Sequence, residues 1–431
     1  MKVCVYGLYH LGTVTAACLA SRGIATIGLA ETAEAAAELR AGTAPLFEPG
    51  LDALLRQGVQ RGALDFTDDI VTAVSSADLV WVSFDTPVDD DDVADVGYVL
   101  DRVRLAFPHL RDGAVVLASS QLPVGSIARL ERDFADVARA RRVSFACSPE
   151  NLRLGSAIKA FTEAERVVIG IRSNDARKVI EPVLQQFCST LLWTRVESAE
   201  MVKHALNSYL AVSIAFTNEI ASICENVAAD MSEVEAALRL DPRIGKKAYV
   251  RAGAAFGGGT LARDVQFLNA VAAGHNAPAP VLKAVLESNE HHKRWVVRHL
   301  TRSLGALAGR KIGVLGLAFK AGTSSIRRSV AIELIEELRA AGAEVTVFDP
   351  KVSALPEPLA SSVAIAGTAN AVFVASDAVV LATEWPEFRD IEFASLLPSM
   401  KRALLIDQNA FASEQLSGLT GLDYIVAGKV R

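Results

Sequence analysis

Lys2-Val3-Cys4-Val5-Tyr6-Gly7-Leu8-Tyr9-His10-Leu11-Gly12 opens the chain and sets its architecture. Lys2 to Tyr6 reads as a short apolar strand, the glycine-bounded hexapeptide as a turn, and the Ala-rich segment to about Arg22 as a helix; Ala25 to Leu29 reads as a second strand. Strand, glycine turn, helix and strand in this order open a dinucleotide-binding unit. Gly7 and Gly12 suit the first and third glycine positions, but Tyr9 occupies the second, where backbone normally approaches a pyrophosphate. A side chain there is expected to exclude the cofactor or demand a shifted loop. The acid that would close the second strand is replaced by Ala30, with Glu31 one residue later. The stretch alone is compatible with a cofactor site and with a plain βαβ unit.

Further strands are expected at Leu79–Phe84, Ala114–Ser119, Arg142–Ala146 and Arg166–Ile171, mostly separated by helical patterns. That alternation predicts a parallel, doubly wound sheet. From Ala199 to about Ala272 the pattern turns helical, with a long segment from Glu200 to Asn226 carrying Lys203 and Asn207 on one face, four residues apart. In isolation this pair is also what an exposed helix surface would show. Pro280 to about Leu304 predicts a second long helix, and long apolar helices between α/β units suit a dimer interface.

The pattern then restarts. Lys311–Leu315 is a strand, Gly316-Leu317-Ala318-Phe319-Lys320 a turn, Val330–Ala341 a helix and Glu344–Phe348 a strand running into Asp349-Pro350. Strands at Ala378–Ala382 and Ala403–Ile406 complete a smaller α/β domain. The expected domains are 1–198, 199–304 and 305–431.

Composition narrows the function. The 431 residues are 51% hydrophobic and 22% charged, a globular balance, and the net charge of −6 argues against nucleic acid as a partner. Cys4, Cys18, Cys147, Cys188 and Cys224 are scattered, with no C-x-x-C pair, and read as buried residues in a reducing compartment. No apolar run approaches the ~20 residues of a membrane span, so a cytoplasmic protein is expected. Asp89-Asp90-Asp91-Asp92 reads as a solvated loop, not a metal site.

The densest local signal is Phe256-Gly257-Gly258-Gly259-Thr260-Leu261-Ala262-Arg263-Asp264. Three glycines let backbone pass close to a bulky partner, and Thr260 and Asp264 would share a helix face. The plainer reading is a glycine-rich turn with an N-cap threonine.

Over nearly its whole length the chain resembles the UDP-glucose/GDP-mannose dehydrogenase family. Glu48-Pro49-Gly50-Leu51 is similar to the family's EPGL, Thr86-Pro87 with Ala94-Asp95 and Tyr98 to its TP…AD..Y segment, and Ser148-Pro149-Glu150-Asn151-Leu152-Arg153-Leu154-Gly155 to its PEFLREG loop. Lys203 and Asn207 repeat a K…N pair, and Phe216-Thr217-Asn218-Glu219-Ile220 follows. Arg243-Ile244-Gly245 resembles RIG, the glycine-rich nonapeptide resembles FGGSCFPKD, and Gly316-Leu317-Ala318-Phe319-Lys320, Thr323, Arg327 and Thr383-Glu384-Trp385 match in the last domain.

The resemblance implies two Rossmann-like domains joined by a helical middle domain, NAD as cofactor, a nucleotide-sugar substrate and a homodimer. It implies oxidation of the C6 alcohol, twice, to a uronic acid. The implied catalytic set is Lys203, Asn207, Thr260, Asp264 and Glu150. Gly7, Tyr9, His10, Leu11, Gly12, Glu31, Thr86, Pro87 and Arg327 would hold the cofactor. Glu150, Leu152, Arg153, Lys203, Asn207, Arg243, Tyr249, Phe256, Gly257, Gly258 and Lys320 would hold the substrate.

The departures matter as much. Thr260 stands where the family has its nucleophilic cysteine, and its hydroxyl is far less acidic than a thiol. Leu154 replaces the second Glu of PEFLREG, Arg263 the Lys of FPKD, and Gln121 the Thr of the S-T-V-P turn; Asp407-Gln408-Asn409 replaces an arginine-containing turn. Two readings stand: a redox enzyme, which stops at the aldehyde, yields an isomer, or completes the four-electron oxidation with Thr260 as a poor nucleophile or through a gem-diol, and a nucleotide-sugar-binding protein that has lost catalysis.

Overall fold

The computed structural model describes the chain apart from residues 88–93, 151, 153, 258, 430 and 431. The aspartate run at 89–92, Arg153 and Gly258 therefore lie outside the described residues. The chain forms two compact units, Met1–Leu206 and Asn207–Arg431.

The first unit is built on β1 (Lys2–Tyr6), β2 (Ala25–Leu29), β3 (Leu64–Thr67), β4 (Leu79–Val82), β5 (Val115–Ala118), β6 (Ser144–Cys147), β7 (Val167–Gly170) and β8 (Leu191–Thr194). They form one sheet in the order β3-β2-β1-β4-β5-β6-β7-β8. Successive side chains of a strand point to opposite faces, so Val3 and Val5 enter one core and Cys4 and Tyr6 the other. All four residues of β4 and of β5 are buried, as expected of strands covered on both faces. Each fully buried Val or Leu contributes about 1.5–3 kcal/mol relative to exposure. The sheet departs from the expected all-parallel arrangement at one step, because β6 and β7 pair antiparallel through Cys147 and Gly170. Gly170 has no room for a side chain: a Cβ would lie 2.6 Å from the Cα of Val196.

The second unit contains the sheet of β9 (Lys311–Leu315), β10 (Glu344–Phe348), β11 (Ala364–Ile365), β12 (Ala378–Leu381), β13 (Leu404–Asp407) and β14 (Asp423–Ile425), in the order β11-β10-β9-β12-β13-β14. Every pair in it is parallel. This is the first sheet's β3-β2-β1-β4-β5-β6 order repeated. β11 and β14 lack a strong sequence signal, being only two and three residues long.

Along the chain, the strands of the two sheets are separated by the helices Val196–Val227, Met231–Leu240, Gly259–Gly274, Pro280–Lys293 and Trp295–Leu304. The single helix expected from Pro280 to Leu304 is two. Arg294 adopts φ −80°, ψ 4°, outside the helical basin. The bend lets Trp295 become almost fully buried and donate its indole N–H to Glu225 at 2.9 Å. No Pro or Gly marks the break, so the sequence gives no local warning of it.

Candidate active site

At the end of β1 the chain must reverse closely against β4. Gly7 takes φ +98°, and a Cβ there would stand 2.8 Å from the Phe84 backbone nitrogen. A Cβ on Gly12 would lie 1.8 Å from the Gly7 carbonyl oxygen. These two glycines are therefore sterically required. The helix His10–Ser21 starts straight after the turn, and no side chain caps it. Its first amides remain available to an anion at a positive helix terminus. Tyr9 sits at the cap position with its ring about half exposed rather than packed into the core. The turn thus fits a dinucleotide, with Tyr9 at its rim; Leu11 is buried and serves packing.

His10 has a specific partner that the sequence did not reveal. Its Nε2 lies 3.0 Å from Glu48 Oε2, and the same buried carboxylate accepts from the amides of Gly155 at 2.8 Å and Ala157 at 2.9 Å. The EPGL-like and PEFLREG-like segments are thereby tied together next to the glycine turn. Thr86 is buried and donates to the Gln121 carbonyl at 2.7 Å, whereas Pro87 is exposed.

Also within the first unit, Lys203 Nζ donates to the Glu150 carbonyl at 2.8 Å and lies 3.5 Å from its Oε1. Glu150 in turn accepts from the Leu152 amide at 2.6 Å. A small cavity lies here, lined by Ser120, Gln121, Cys147, Glu150, Glu200 and Lys203. Glu200 accepts from the amides of Gly125 at 2.8 Å and Ile127 at 2.9 Å and so closes the N-terminus of the helix Ser126–Ala138. Burial raises the Glu200 carboxyl above its usual range, and those two amides oppose the shift. Cys147 is held as a thiol by burial and has no nucleophilic character here.

The helix Val196–Val227 carries Lys203 near the end of the first unit and Asn207 at the start of the second. In the second unit Asn207 Nδ2 donates to Asp264 Oδ2, and Asp264 is completely buried. Thr260 is exposed, as the second residue of the helix Gly259–Gly274 rather than the residue preceding it, so the N-cap reading does not hold.

The backbone leading into this helix is held by amide side chains. Asn218 Oδ1 accepts from Gly253 N at 3.0 Å, Asn409 Oδ1 from Ala254 N at 2.8 Å, and Asn289 Oδ1 from Phe256 N at 2.9 Å. Asn289 Nδ2 returns a bond to the Phe256 carbonyl at 3.0 Å. His292 Nε2–H donates to the Gly253 carbonyl at 2.8 Å, and burial holds this imidazole below its ordinary pKa. The Asp407-Gln408-Asn409 turn thus has a job: through Asn409 it grips the glycine-rich loop. Gly257 is required, because a Cβ would meet the Arg328 carbonyl at 2.9 Å.

The remaining expected residues are more dispersed. Phe256 is buried in the second unit and Leu152 half-buried in the first. Arg243 is 87% exposed, its guanidinium paired with both carboxylate oxygens of Asp241. Tyr249, Lys320 and Arg327 are exposed, with Lys320 Nζ 5.5 Å from the Phe319 ring centroid. Among the described residues no group of three or more His, Cys, Asp or Glu could hold a metal ion, and no helix is long and apolar enough to cross a membrane.

Comparison with known proteins gives a consistent picture. The family pattern of UDP-glucose/GDP-mannose dehydrogenases matches in three consecutive parts: the NAD binding domain over residues 1–188, the central domain over 197–291 and the UDP binding domain over 313–413. UDP-glucose 6-dehydrogenase TuaD of Bacillus subtilis is 35% identical over 421 residues, covering 96% of this chain and 90% of the relative. A UDP-glucose 6-dehydrogenase of Rhizobium meliloti is 35% identical, covering 97% of each. The solved structure of a UDP-glucose dehydrogenase from Pyrobaculum islandicum superposes with a TM-score of 0.86 at 30% identity, over 99% of this chain and 97% of that one.

Proposed function

Because the chain belongs to the UDP-glucose/GDP-mannose dehydrogenase family, and is an NAD-dependent dehydrogenase-like enzyme of nucleotide sugars, we propose that it oxidises C6 of a UDP-hexose and stops at the aldehyde, or returns the hydride and releases an isomer. The observation that carries this reading is the buried Asn207–Asp264 pair, with Asp264 on the helix that carries Thr260, whose hydroxyl meets no base among the described residues. Bound NAD⁺ supplies the hydride acceptor. Asp264, oriented by Asn207, receives the alcohol proton through a water. Lys203, fixed by Glu150, stabilises the developing alkoxide. A threonine hydroxyl is too weakly acidic to add to the aldehyde as a thiolate would, so the covalent route to the acid is closed.

The substrate side is assigned to Glu150, Leu152, Arg153, Lys203, Asn207, Arg243, Tyr249, Phe256, Gly257, Gly258 and Lys320, and the cofactor side to the first glycine turn with Glu31, Thr86, Pro87 and Arg327. The exposed stripe of Tyr209, Phe216, Ile223 and Val227 on the helix Val196–Val227 supports a homodimer formed with a second copy. The five free, buried cysteines support a cytoplasmic setting.

The test is incubation with NAD⁺ and a panel of UDP- and GDP-sugars, following NADH absorbance and the mass of the sugar together. One NADH per aldehyde, or an isomer without net NADH, is expected. Two NADH per acid would overturn the altered outcome. Tight sugar-nucleotide binding with no turnover would favour the second reading, a binding protein, to which Tyr9, Ala30, Leu154 and Thr260 jointly point. Lys203→Ala should lower turnover by about 10²–10³-fold with the fold intact.

A further inference from the structure

The ribose end of the first glycine turn carries both signs of charge. In such a unit the adenosine ribose lies beyond the second strand, where an acid receives a 2′-hydroxyl or an arginine receives a 2′-phosphate. Tyr6 pairs with Leu29 across the strands, so the residue facing the turn is Ala30, which is buried and donates its amide to the Thr67 carbonyl at 2.8 Å. It offers neither group. Glu31 follows directly, and its Oε1 accepts from the Tyr98 hydroxyl at 2.7 Å and from Arg102 Nε at 3.0 Å.

This is a built arrangement rather than a loose surface pair. The Arg102 guanidinium lies 3.5 Å from the centroid of the Tyr98 ring, stacked on its face. Tyr98 meets Phe84 edge-on at 6.1 Å, and Phe84 is the residue against which Gly7 turns. The pair is thus continuous with the glycine turn through two aromatic rings. Among the described residues Glu31 Oε2 makes no hydrogen bond, so it keeps an acceptor for a ligand hydroxyl.

We propose that Glu31 and Arg102 are the specificity-determining pair for the cofactor. Glu31 takes over from the missing strand-end acid and receives the 2′-hydroxyl of NAD. The same carboxylate neutralises Arg102, which would otherwise receive the 2′-phosphate of NADP. The inference rests on nicotinamide dinucleotide binding by this turn, and goes beyond it by naming the residues that choose between the two.

The experiment titrates the full-length protein with NADH and with NADPH, reading nucleotide fluorescence, for wild type, Glu31→Ala, Glu31→Gln, and Glu31→Ala combined with Arg102→Ala. Wild type should hold NADH about tenfold tighter or more. Glu31→Ala should shift the NADH:NADPH affinity ratio by about tenfold or more toward NADPH, and adding Arg102→Ala should remove the NADPH gain. Glu31→Gln, nearly isosteric, should shift the ratio in the same direction and guards against a folding artefact. A ratio unchanged in both Glu31 variants, or an NADPH gain that survives loss of Arg102, overturns the proposal alone. Failure of wild type to bind either nucleotide overturns the cofactor reading and the proposal with it.

Discussion

The two glycine turns, one in each sheet, start alike and end differently. Gly7 and Gly316 both follow a central strand, both have strongly positive φ, and both are pressed against the chain leaving the neighbouring strand, Phe84 in one case and Thr383 in the other. After Gly7 a helix begins within three residues, and its amides are left open to a ligand. After Gly316 no helix begins until Val330. There the turn amides of Leu317 and Ala318 donate to Asp349 Oδ2 at 2.7 and 3.1 Å. Asp349 occupies in the second sheet the register position of Ala30 in the first. Its carboxylate also accepts from the Trp385 indole at 2.9 Å and from the amides of Lys351 and Val352. Topology therefore does not decide whether a glycine turn cradles a phosphate. The partner of its amides does: they stay open in one domain and are taken by an internal carboxylate in the other.

The comparison is most severely challenged at Asp349. Asp349→Ala would leave four amides and a buried indole N–H without their acceptor, and should cost about 3–5 kcal/mol of stability, read as a lower urea midpoint. A loss below about 1 kcal/mol would show that the second turn does not depend on its internal acceptor. Next in size, Gly7→Ala and Gly316→Ala should each cost about 1–3 kcal/mol, since both force a positive φ and a steric overlap on the new methyl. Only Gly7→Ala should also weaken NADH in a fluorescence titration. Equal effects on NADH from both would erase the functional distinction between the turns.

The smallest effect concerns pH and the second unit. Burial keeps His292 below the ordinary histidine value of 6.5, so the unfolded chain takes up the proton more readily. Stability supplied by the neutral ring is complete above that value and declines as pH falls through it. Acidification from pH 7.5 to 5.5 should cost about 1 kcal/mol or less from this residue. Trp295, whose ring centroid is 6.5 Å from that of His292, provides the fluorescence signal. His292→Gln should flatten the slope in that window.

Much of this was legible in the sequence because strongly periodic elements carry their own signal. β1, β2, β9 and β10 fall where the apolar runs place them, residue for residue. Lys203 and Asn207 were readable as a helical pair, but their partners were not: Glu150 is 53 residues from Lys203, and Asp264 is 57 from Asn207. Glu48 looked like one letter of a motif, although its buried carboxylate joins His10 to amides more than a hundred residues away. The break at Arg294 has no local signal, because tertiary burial of Trp295, not a local breaker, accompanies it. Asn409 looked like a loss relative to the family pattern, and only the fold shows what it holds.

The loop entering the helix Gly259–Gly274 is fastened at Gly253, Ala254 and Phe256 by the uncharged amides of Asn218, Asn409 and Asn289. Dissolved ions screen the attraction between exposed charges separated by more than about 10 Å at 0.1 M, and they have little hold on neutral amide-to-backbone bonds. The loop is accordingly fastened in a way that ionic strength leaves untouched, while any charged substrate it receives is attracted through forces that salt weakens. Raising salt should therefore weaken the approach of any charged ligand and leave the shape of the loop unchanged.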